Sequence, residues 1–232
     1  VSSGEQNLTL DMGIWAAVAV GDMVWNDLNH NGVYEPAQGE NGVAGVKVTI
    51  FNAETNQVVT VDNHGNPVVP QTTDSFGRYL FDDLPPANYY VVFDLNTLPQ
   101  GYLVTTPDLG NEQSDSDADP ATGKTAPTGL LGTQTSNMNM DMGIYRPVVV
   151  GNSVWFDDNH NGLQDATEAG VPGVKATLFN AQTNQPVTAD AMGNPVVPLL
   201  TDASGSYRFE GLPPGSYYVA FDLATLPSGY TV

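Results

Sequence analysis

Acidic and amide side chains at fixed spacing are the part of this sequence best suited to chemistry. The run from Asp157 to Glu168 reads Asp-Asp-Asn-His-Asn-Gly-Leu-Gln-Asp-Ala-Thr-Glu. It fits without a gap the loop pattern D-x-[DN]-x-[DN]-G-x5-E, in which alternate oxygens converge and a glycine allows the sharp turn. Such a loop offers the oxygen ligands, about six to eight, that Ca²⁺ takes. We therefore predict a calcium site with these ligands: Asp157, Asn159, Asn161, the carbonyl of Leu163, Asp165 and Glu168.

A related run begins at Asp27 but departs from the pattern after Glu35. The closing position of the pattern would be Gln38, whereas the repeat described below places Glu40 opposite Glu168. We expect a second calcium site on a longer loop, with these ligands: Asp27, Asn29, Asn31, the carbonyl of Val33, Glu35 and Glu40. The alternative for both loops is an Asn- and Gly-rich turn that merely tolerates acids. His30 and His160 are expected to face solvent.

Further acids suggest additional cation ligands. Asp115, Asp117 and Asp119 alternate, and alternation in extended chain puts carboxylates on one side. Without a counter-charge they repel one another, so calcium binding is one interpretation and a solvated loop is the other. Asp74 and Asp202 open Asp-x-x-Gly turns, where turn capping is the first interpretation and cation ligation the second. Four more acids qualify only if the fold brings them beside an acidic loop: Asp11, Asp94, Asp141 and Asp222.

Short apolar stretches separated by turn residues indicate the elements that carry these loops. The chain has 24 Gly, 17 Pro and 41% apolar residues, a composition typical of β structure with dense turns rather than of a disordered acidic tail. Strands are expected at 18–25, 46–51, 68–69, 79–81, 89–93 and 138–144, and again at 148–155, 174–179, 207–209 and 217–221. The pattern predicts an all-β fold of β-sandwich domains.

Charge and composition exclude several classes of function. With 26 acidic and 6 basic residues the net charge is −20, which rules out attraction to nucleic acid or anionic lipid as the main activity. The chain has no cysteine, so disulfides and thiolate chemistry are excluded. No apolar run is long enough to span a membrane. No arrangement of His, Ser and carboxylates suggests a catalytic site, so we expect a protein that is not an enzyme.

The sequence is internally duplicated. Val46–Val104 aligns with Val174–Val232, and 38 of the 59 positions are identical. A partial third copy lies at the start, where Leu10–Trp15 matches Met140–Tyr145. We therefore predict three parts: 1–15, the terminal strand of a preceding or neighbouring unit; 16–146, a first sandwich; and 147–232, a second sandwich without its final strands. The missing strand would come from the continuing chain or from a neighbouring subunit, unless the boundaries carry no meaning.

Taken together, these segments resemble the B domains of serine–aspartate repeat surface proteins, the SdrD B-like family. The shared motifs are Val154–Asp165, Gly170-Val-Pro-Gly-Val, Thr201–Phe209, Leu212–Val219, Leu226-Pro-Ser-Gly-Tyr, Ser114–Lys124 and Asp141-Met-Gly-Ile. The resemblance implies tandem Cna-B-type, Ig-like sandwiches that bind several Ca²⁺ ions per chain. It also implies an extracellular location on a bacterial surface, in the cell wall or in a filament.

These observations together predict a calcium-rigidified structural repeat of a bacterial stalk or fibre. Its partners would be neighbouring repeats or identical subunits, joined head to tail by strand complementation. The alternative is an adhesin domain that binds a host or matrix protein or a glycan, for which the repeated pairs Tyr89-Tyr90 and Tyr217-Tyr218 would be candidate contacts.

Overall fold

The structure, a computed structural model, describes residues 12–232, and the fold is all-β as predicted. The strands of the first repeat are β1 Val18–Asn26, β2 Lys47–Asn52, β3 Gln57–Val58, β4 Gln71–Thr72, β5 Arg78–Leu84, β6 Tyr89–Phe93, β7 Leu103–Val104, β8 Ser136–Asn137 and β9 Met142–Tyr145. Those of the second are β10 Val148–Ser153, β11 Lys175–Asn180, β12 Leu199–Leu200, β13 Ser206–Leu212 and β14 Tyr217–Phe221. Short 3₁₀ turns occupy Pro36–Gln38, Leu95–Thr97 and Leu223–Thr225.

Two sheets build the first repeat. One has the order β5-β1-β9-β7, with β8 also paired to β1, and the other has β3-β2-β4 with β6 paired to β2. Strands β1 and β9 run parallel, whereas β1 and β5 are antiparallel. The rings of Tyr79 and Phe93, from β5 and β6, meet edge to face at 5.6 Å, so the two sheets share one core.

The described strands of the second repeat follow the plan of β1, β2, β4, β5 and β6. Its described sheets are β10-β13 and β12-β11-β14. Ala176 and Leu178 of β11 pack against Phe209 and Leu212 of β13, which makes a sandwich core. The burial sequence along β2 and β11 is identical, because both strands alternate a core-facing and an outward-facing side chain.

Some local expectations were wrong. Only the end of the stretch 138–144 is in a strand, because β9 begins at Met142; β8 lies before the stretch, at Ser136–Asn137. Residues 68–69 are not in a strand, and the pairing to β2 starts at Gln71. The Pro-Pro corners are repeated as expected: the hydroxyl of Tyr89 donates to the carbonyl of Pro85, and that of Tyr217 to the carbonyl of Pro213.

The chain divides into two compact units. One comprises the chain up to Asp27 with Asn31–Pro99 and Val104–Ile144, and the other comprises Leu28–His30, Gln100–Leu103 and Tyr145–Val232. The main division thus falls between Ile144 and Tyr145, beside the boundary predicted after residue 146. The predicted segment 1–15 lies mostly outside the described residues, which begin at Met12.

A close backbone approach in the first repeat yields a stability prediction. A Cβ added at Gly42 would overlap the carbonyl oxygen of Phe76, whereas one at the exposed Gly132 meets nothing within 4 Å. We expect Gly42→Ala to lower the free energy of unfolding by about 1–3 kcal/mol, as overpacking does. Gly132→Ala is the control and should change it little. Urea unfolding of the full chain measures both, and equal midpoints for the two variants would contradict the packing described.

Candidate metal centres

The side chains of the second loop, residues 157–168, converge on one another. The Asp157 carboxylate accepts the backbone N–H groups of Asn161 (3.0 Å) and Gly162 (2.8 Å). The side-chain amides of Asn159 and Asn161 both donate to the same oxygen of Asp165, at 2.7 and 3.0 Å. Because amide N and O interchange by a half-turn of the side chain, this arrangement can present two amide oxygens beside the Asp165 carboxylate.

Glu168 closes the second loop. One of its carboxylate oxygens accepts the N–H of Asp158 at 3.0 Å, and the other accepts the N–H of Asp165 at 2.9 Å. Gly162 has φ +74° and His160 has φ +56°, so two left-handed residues bend the loop back on itself. The loop is therefore a compact turn rimmed by carboxylate and amide groups, as the sequence pattern suggests.

The first loop, residues 27–40, repeats this network despite its extra residues. Asp27 accepts the N–H groups of Asn31 (3.2 Å) and Gly32 (2.9 Å), and the Asn31 amide donates to Glu35 at 2.8 Å. Glu40 accepts the N–H of Glu35 at 2.7 Å, the same bond that Glu168 makes with Asp165. The insertion is accommodated by the 3₁₀ turn Pro36–Gln38, so Glu40 takes the place that Gln38 would have in the shorter pattern.

Burial distinguishes the two loops. Asp27 and Glu40 are 0% and 2% exposed, and the hydroxyl of Thr105 donates to Asp27 at 2.7 Å. In the second loop Asp157 and Glu168 are partly exposed. His160 is exposed as expected, but the expectation is wrong for His30, which is half-buried with its ring 4.1 Å from that of Tyr145.

The fold brings the acidic stretch 115–119 against the first loop, which the sequence did not predict. Val33 and Asp115 form a β-bridge, and Tyr34 donates its N–H to the carbonyl of Ser114. Asp115 is 3% exposed; its Oδ2 accepts the N–H of Gly110 at 3.1 Å, but its Oδ1 has no hydrogen-bond partner. A buried carboxylate oxygen without a donor is costly, and a bound cation would compensate it.

A second group of carboxylates, the buried acid cluster, consists of Asp22, Asp117 and Asp141. Asp117 accepts the N–H of Asp141 at 2.8 Å, and Asp141 accepts the N–H of Met23 at 3.1 Å. Burial raises the pKa of Asp117 to about 7, helped by the charges of Asp115, Glu112 and Asp108. Burial raises the pKa of Asp141 to about 9, helped by the charges of Asp22 and Asp117. Burial also raises the pKa of Asp22 to about 6, although its hydrogen bond with Asp141 and the charge of Arg78 oppose that shift.

Asp141 thus meets the condition set from the sequence, since it lies beside an acidic segment. Asp22 was missed. The available signal was a charged residue inside the otherwise apolar strand at 18–25, a position that is costly unless it has a role.

The remaining sequence candidates cap turns. Oδ1 of Asp74 accepts the N–H groups of Phe76 and Arg78, and Oδ1 of Asp202 accepts those of Ser204 and Ser206. Asp119 is exposed and caps its own turn at Ala121 and Thr122, so it does not share one side with Asp115 and Asp117. Asp94 and Asp222 cap their 3₁₀ turns. Asp11 lies outside the described residues.

Two further observations limit the chemistry. Within residues 12–232, no three or more His, Cys, Asp or Glu side chains are grouped so as to hold a metal by themselves, so any site at the loops also needs amide and carbonyl oxygens. Tyr89 and Tyr90 are 2% and 6% exposed, and Tyr90 stacks on Phe51. In the first repeat, the tyrosines considered as glycan contacts are therefore core residues.

The buried acid cluster predicts how metal-free protein responds to pH. Above pH 4 these carboxyls keep their protons in the folded protein but lose them in the unfolded chain. Because the folded protein then binds more protons than the unfolded chain, its free energy of unfolding falls as the pH rises toward about 7. In excess chelator, the melting temperature should fall by several degrees between pH 4.5 and 7.5. Asp141→Asn, which keeps the acceptor for Met23, should flatten this fall. A melting temperature that rises across this interval would contradict the electrostatics described.

Comparison with known proteins agrees with this architecture. The SdrD B-like domain family matches this chain twice, over residues 18–144 and 148–232. Serine-aspartate repeat-containing protein F of Staphylococcus epidermidis is 37% identical over 228 residues, covering 97% of this chain and 11% of that protein. Serine-aspartate repeat-containing protein D of Staphylococcus aureus strain Newman is 39% identical over 218 residues, covering 91% of this chain and 14% of that protein.

Solved structures give weaker likenesses. The Streptococcal ancillary pilin has a TM-score of 0.35 at 17% identity, covering 93% of this chain and 56% of that one. The shaft pilin of Lactobacillus rhamnosus GG has a TM-score of 0.29 at 13% identity, covering 94% and 90%. Among the described residues, no helix has the length and apolar character needed to cross a membrane.

The family matches nearly the whole chain in two consecutive copies, in agreement with the duplicated strands and loops of the structure. This chain belongs to the SdrD B-like domain family, whose members are extracellular repeats of bacterial surface proteins.

Proposed function

We propose that this chain is a calcium-binding structural repeat of a bacterial surface stalk or fibre. The observation that carries the proposal is the shared network of the two loops, in which an Asp, an Asn, a second acid and a closing Glu occupy matching places. Such acid-rich turns are self-repelling when empty, and a divalent cation removes that repulsion.

The donor set suits calcium. All the side-chain donors are carboxylates and amides, and their number exceeds what Mg²⁺ takes from protein while it keeps its waters. In the second loop the donors would be Asp157, Asn159, Asn161, Asp165 and Glu168, with the Leu163 carbonyl. In the first they would be the corresponding groups: Asp27, Asn29, Asn31, the Val33 carbonyl, Glu35 and Glu40. A bound cation would supply positive charge there, and the backbone bonds to Asp27 and Asp157 already hold each turn in shape.

Asp115 supports a cation at the first loop in particular. Its carboxylate is buried, pairs with the loop through the Val33 bridge, and keeps one oxygen without a donor. This oxygen is available to a cation held at the first loop. Calcium there would join the loop to the distant stretch 108–117 and so stiffen the first sandwich. Asp117 lies two residues after Asp115 and accepts the N–H of Asp141, and it would contribute through its charge.

A stalk function follows from stiffness and repetition. Two sandwiches follow one another with a short connection, Arg146-Pro147, between β9 and β10. The chain spans 11–14% of the length of these curated relatives, so the proposal concerns this pair of repeats and not the ligands of a whole surface protein. We propose that neighbouring repeats or identical subunits are its partners, and that a thiol-free protein uses calcium where other extracellular proteins use disulfides.

Calcium titration tests the second loop. Calcium should raise the unfolding free energy by about 2.7 kcal/mol per site at 100 times the dissociation constant. Asp165→Asn and Glu168→Gln should each abolish or strongly weaken one site in isothermal titration calorimetry. Asp202→Asn is the matched control: it changes a turn-capping carboxylate and should leave the number of sites unchanged. Equal stoichiometry in all variants, or a melting temperature that is insensitive to chelator, would overturn the proposal.

Asp115→Asn tests the first loop separately. The substitution removes a buried charge but keeps an oxygen for the Gly110 N–H, so metal-free protein should be as stable as the parent or more so. In saturating calcium the variant should gain less stability than the parent, because one ligand charge is gone. Thermal melts in chelator and in calcium measure the two effects. A variant that is destabilised in chelator and unchanged in its calcium response would contradict this assignment.

A further inference from the structure

A small pocket lies beside the first loop, within the first repeat. Its walls come from β1, from the first loop and the residues after it, and from the turn that leads into β5. Its volume is about 310 Å³, near the lower end of the range of ligand pockets, about 300–1,000 Å³. Apart from Gly42, the lining residues are Met23, Tyr34, Asn41, Ser75, Phe76 and Arg78.

The two repeats differ at nearly every residue of this pocket. Between 46–104 and 174–232 they are identical at 38 of 59 positions, yet of the lining residues only Gly42 has an identical counterpart, Gly170. The strand register matches, since Met23 pairs with Arg78 as Ser153 pairs with Ser206. The second repeat is therefore an internal reference with the same strand pairing and different side chains. The counterparts of the six other lining residues are, in chain order, Ser153, Gln164, Ala169, Ala203, Ser204 and Ser206.

In the second repeat these counterparts bond to one another. The Ser153 hydroxyl donates to the side-chain oxygen of Gln164 at 2.9 Å, and the hydroxyls of Ser204 and Ser206 are bonded at 2.9 Å. The surface there is built of small polar side chains whose hydrogen bonds are made internally.

In the first repeat the corresponding side chains offer unused groups. Phe76 is 68% exposed, and the guanidinium of Arg78 makes no ion pair or side-chain hydrogen bond within residues 12–232. The turn nevertheless holds both residues in place, because the N–H groups of Phe76 and Arg78 donate to Oδ1 of Asp74 at 2.8 and 2.9 Å. An aromatic ring and the N–H donors of a guanidinium are thus fixed at the pocket for an external partner.

The backbone around the pocket is already paired, which disfavours a peptide added as a strand. The N–H of Asn26 donates to the Asn41 carbonyl, and the N–H of Val24 donates to the Gly77 carbonyl. At the pocket end of β5, the carbonyl of Arg78 accepts the N–H of the turn residue Asp74. Because strand addition depends on main-chain bonds to an open edge, a ligand here must be recognised through side chains.

Charge favours a neutral ligand. The net charge of −20 repels anions, and Arg78 interacts with the charges of Asp22 and Asp74 from beyond ion-pair distance. A cationic ligand would instead meet Arg78 in the pocket itself. A guanidinium also donates to uncharged oxygens, so the pocket suits an uncharged ligand that is rich in hydroxyl groups.

We propose that this pocket binds one neutral sugar unit of a glycan. The ring of Phe76 would pack on the C–H face of the sugar, and Arg78 and Ser75 would hydrogen-bond to its hydroxyls. The Asn41 amide donates to the Gly39 carbonyl at 2.7 Å, which orients the side chain, and its oxygen would accept from a further hydroxyl. This inference goes beyond the proposed function, because it adds recognition to a structural repeat, and its failure would leave the calcium assignment untouched.

Binding of the full chain to an array of immobilised neutral, sialylated and uronic-acid glycans tests the class of ligand. The array is probed in saturating calcium, because Tyr34 and Asn41 adjoin Glu35 and Glu40 of the first loop and that loop should be in a single state. Binding to at least one neutral glycan is the expected result. An array on which no neutral glycan binds, or on which the acidic glycans bind more strongly, would overturn the inference.

Two substitutions test the place of binding. Phe76→Ser and Arg78→Ser each introduce the residue of the second repeat. Both should fold, because Ser204 and Ser206 donate their N–H groups to Asp202 in the same way. Circular dichroism melts check the folding of each variant.

Val69→Ser is the matched control, because Val69 is 57% exposed in the same repeat and does not line the pocket. Biolayer interferometry on the neutral glycan with the strongest array signal measures the affinities. Phe76→Ser and Arg78→Ser should each weaken binding about tenfold or more, as the loss of a central contact does, and Val69→Ser should leave it unchanged. An affinity that stays the same in both pocket variants, or that falls equally in Val69→Ser, would contradict the assigned site.

Discussion

Crowding of carboxylates without matching positive charge is the constraint on which the first repeat depends. Asp115 is buried with one unpaired oxygen, and burial raises the pKa of Asp117 and of the coupled pair Asp22 and Asp141. The chain holds 26 acidic residues against 6 basic ones, so ion pairing can relieve only a small part of this repulsion. Protons relieve it at low pH, and under the proposed function a divalent cation would relieve it at neutral pH, since carboxylate and amide oxygens suit such an ion.

The sandwich is what forces these acids together. β1 carries Asp22, the segment before β9 carries Asp141, and the stretch between β7 and β8 carries Asp115 and Asp117. Parallel pairing of β1 with β9 brings the first two side by side. The bridge from Val33 to Asp115 then attaches the first loop to the same side of the repeat. The electrostatic strain is therefore a product of topology, because none of these contacts is local in sequence.

Comparison of the two repeats shows which local features they share. Both repeats have a bulge at the start of their first strand, in β1 and in β10. In both, a threonine hydroxyl, of Thr73 or Thr201, accepts a backbone N–H, and a tyrosine hydroxyl bonds to the carbonyl of the Pro-Pro corner. These local features recur at matching positions and hold the strands of each sandwich in the same arrangement. In the first repeat β9 completes the core, with Met142 and Ile144 fully buried.

Much of this protein was decided by sequence alone. The duplication, the all-β class, the turn positions and the oxygen-rich loops follow from residue types at short spacing, because turns, alternation and loop ligands are local features. The two-residue offset that places Glu40 opposite Glu168 was also readable, and the structure gives both residues the same hydrogen bond. Tertiary structure alone decided which acids meet. Asp115 and Asp117 turn inward while Asp119 caps its own turn, Asp22 joins Asp141, and His30 packs on Tyr145. These outcomes depend on strand pairing between distant segments, and the alternation of a single strand does not specify its neighbour.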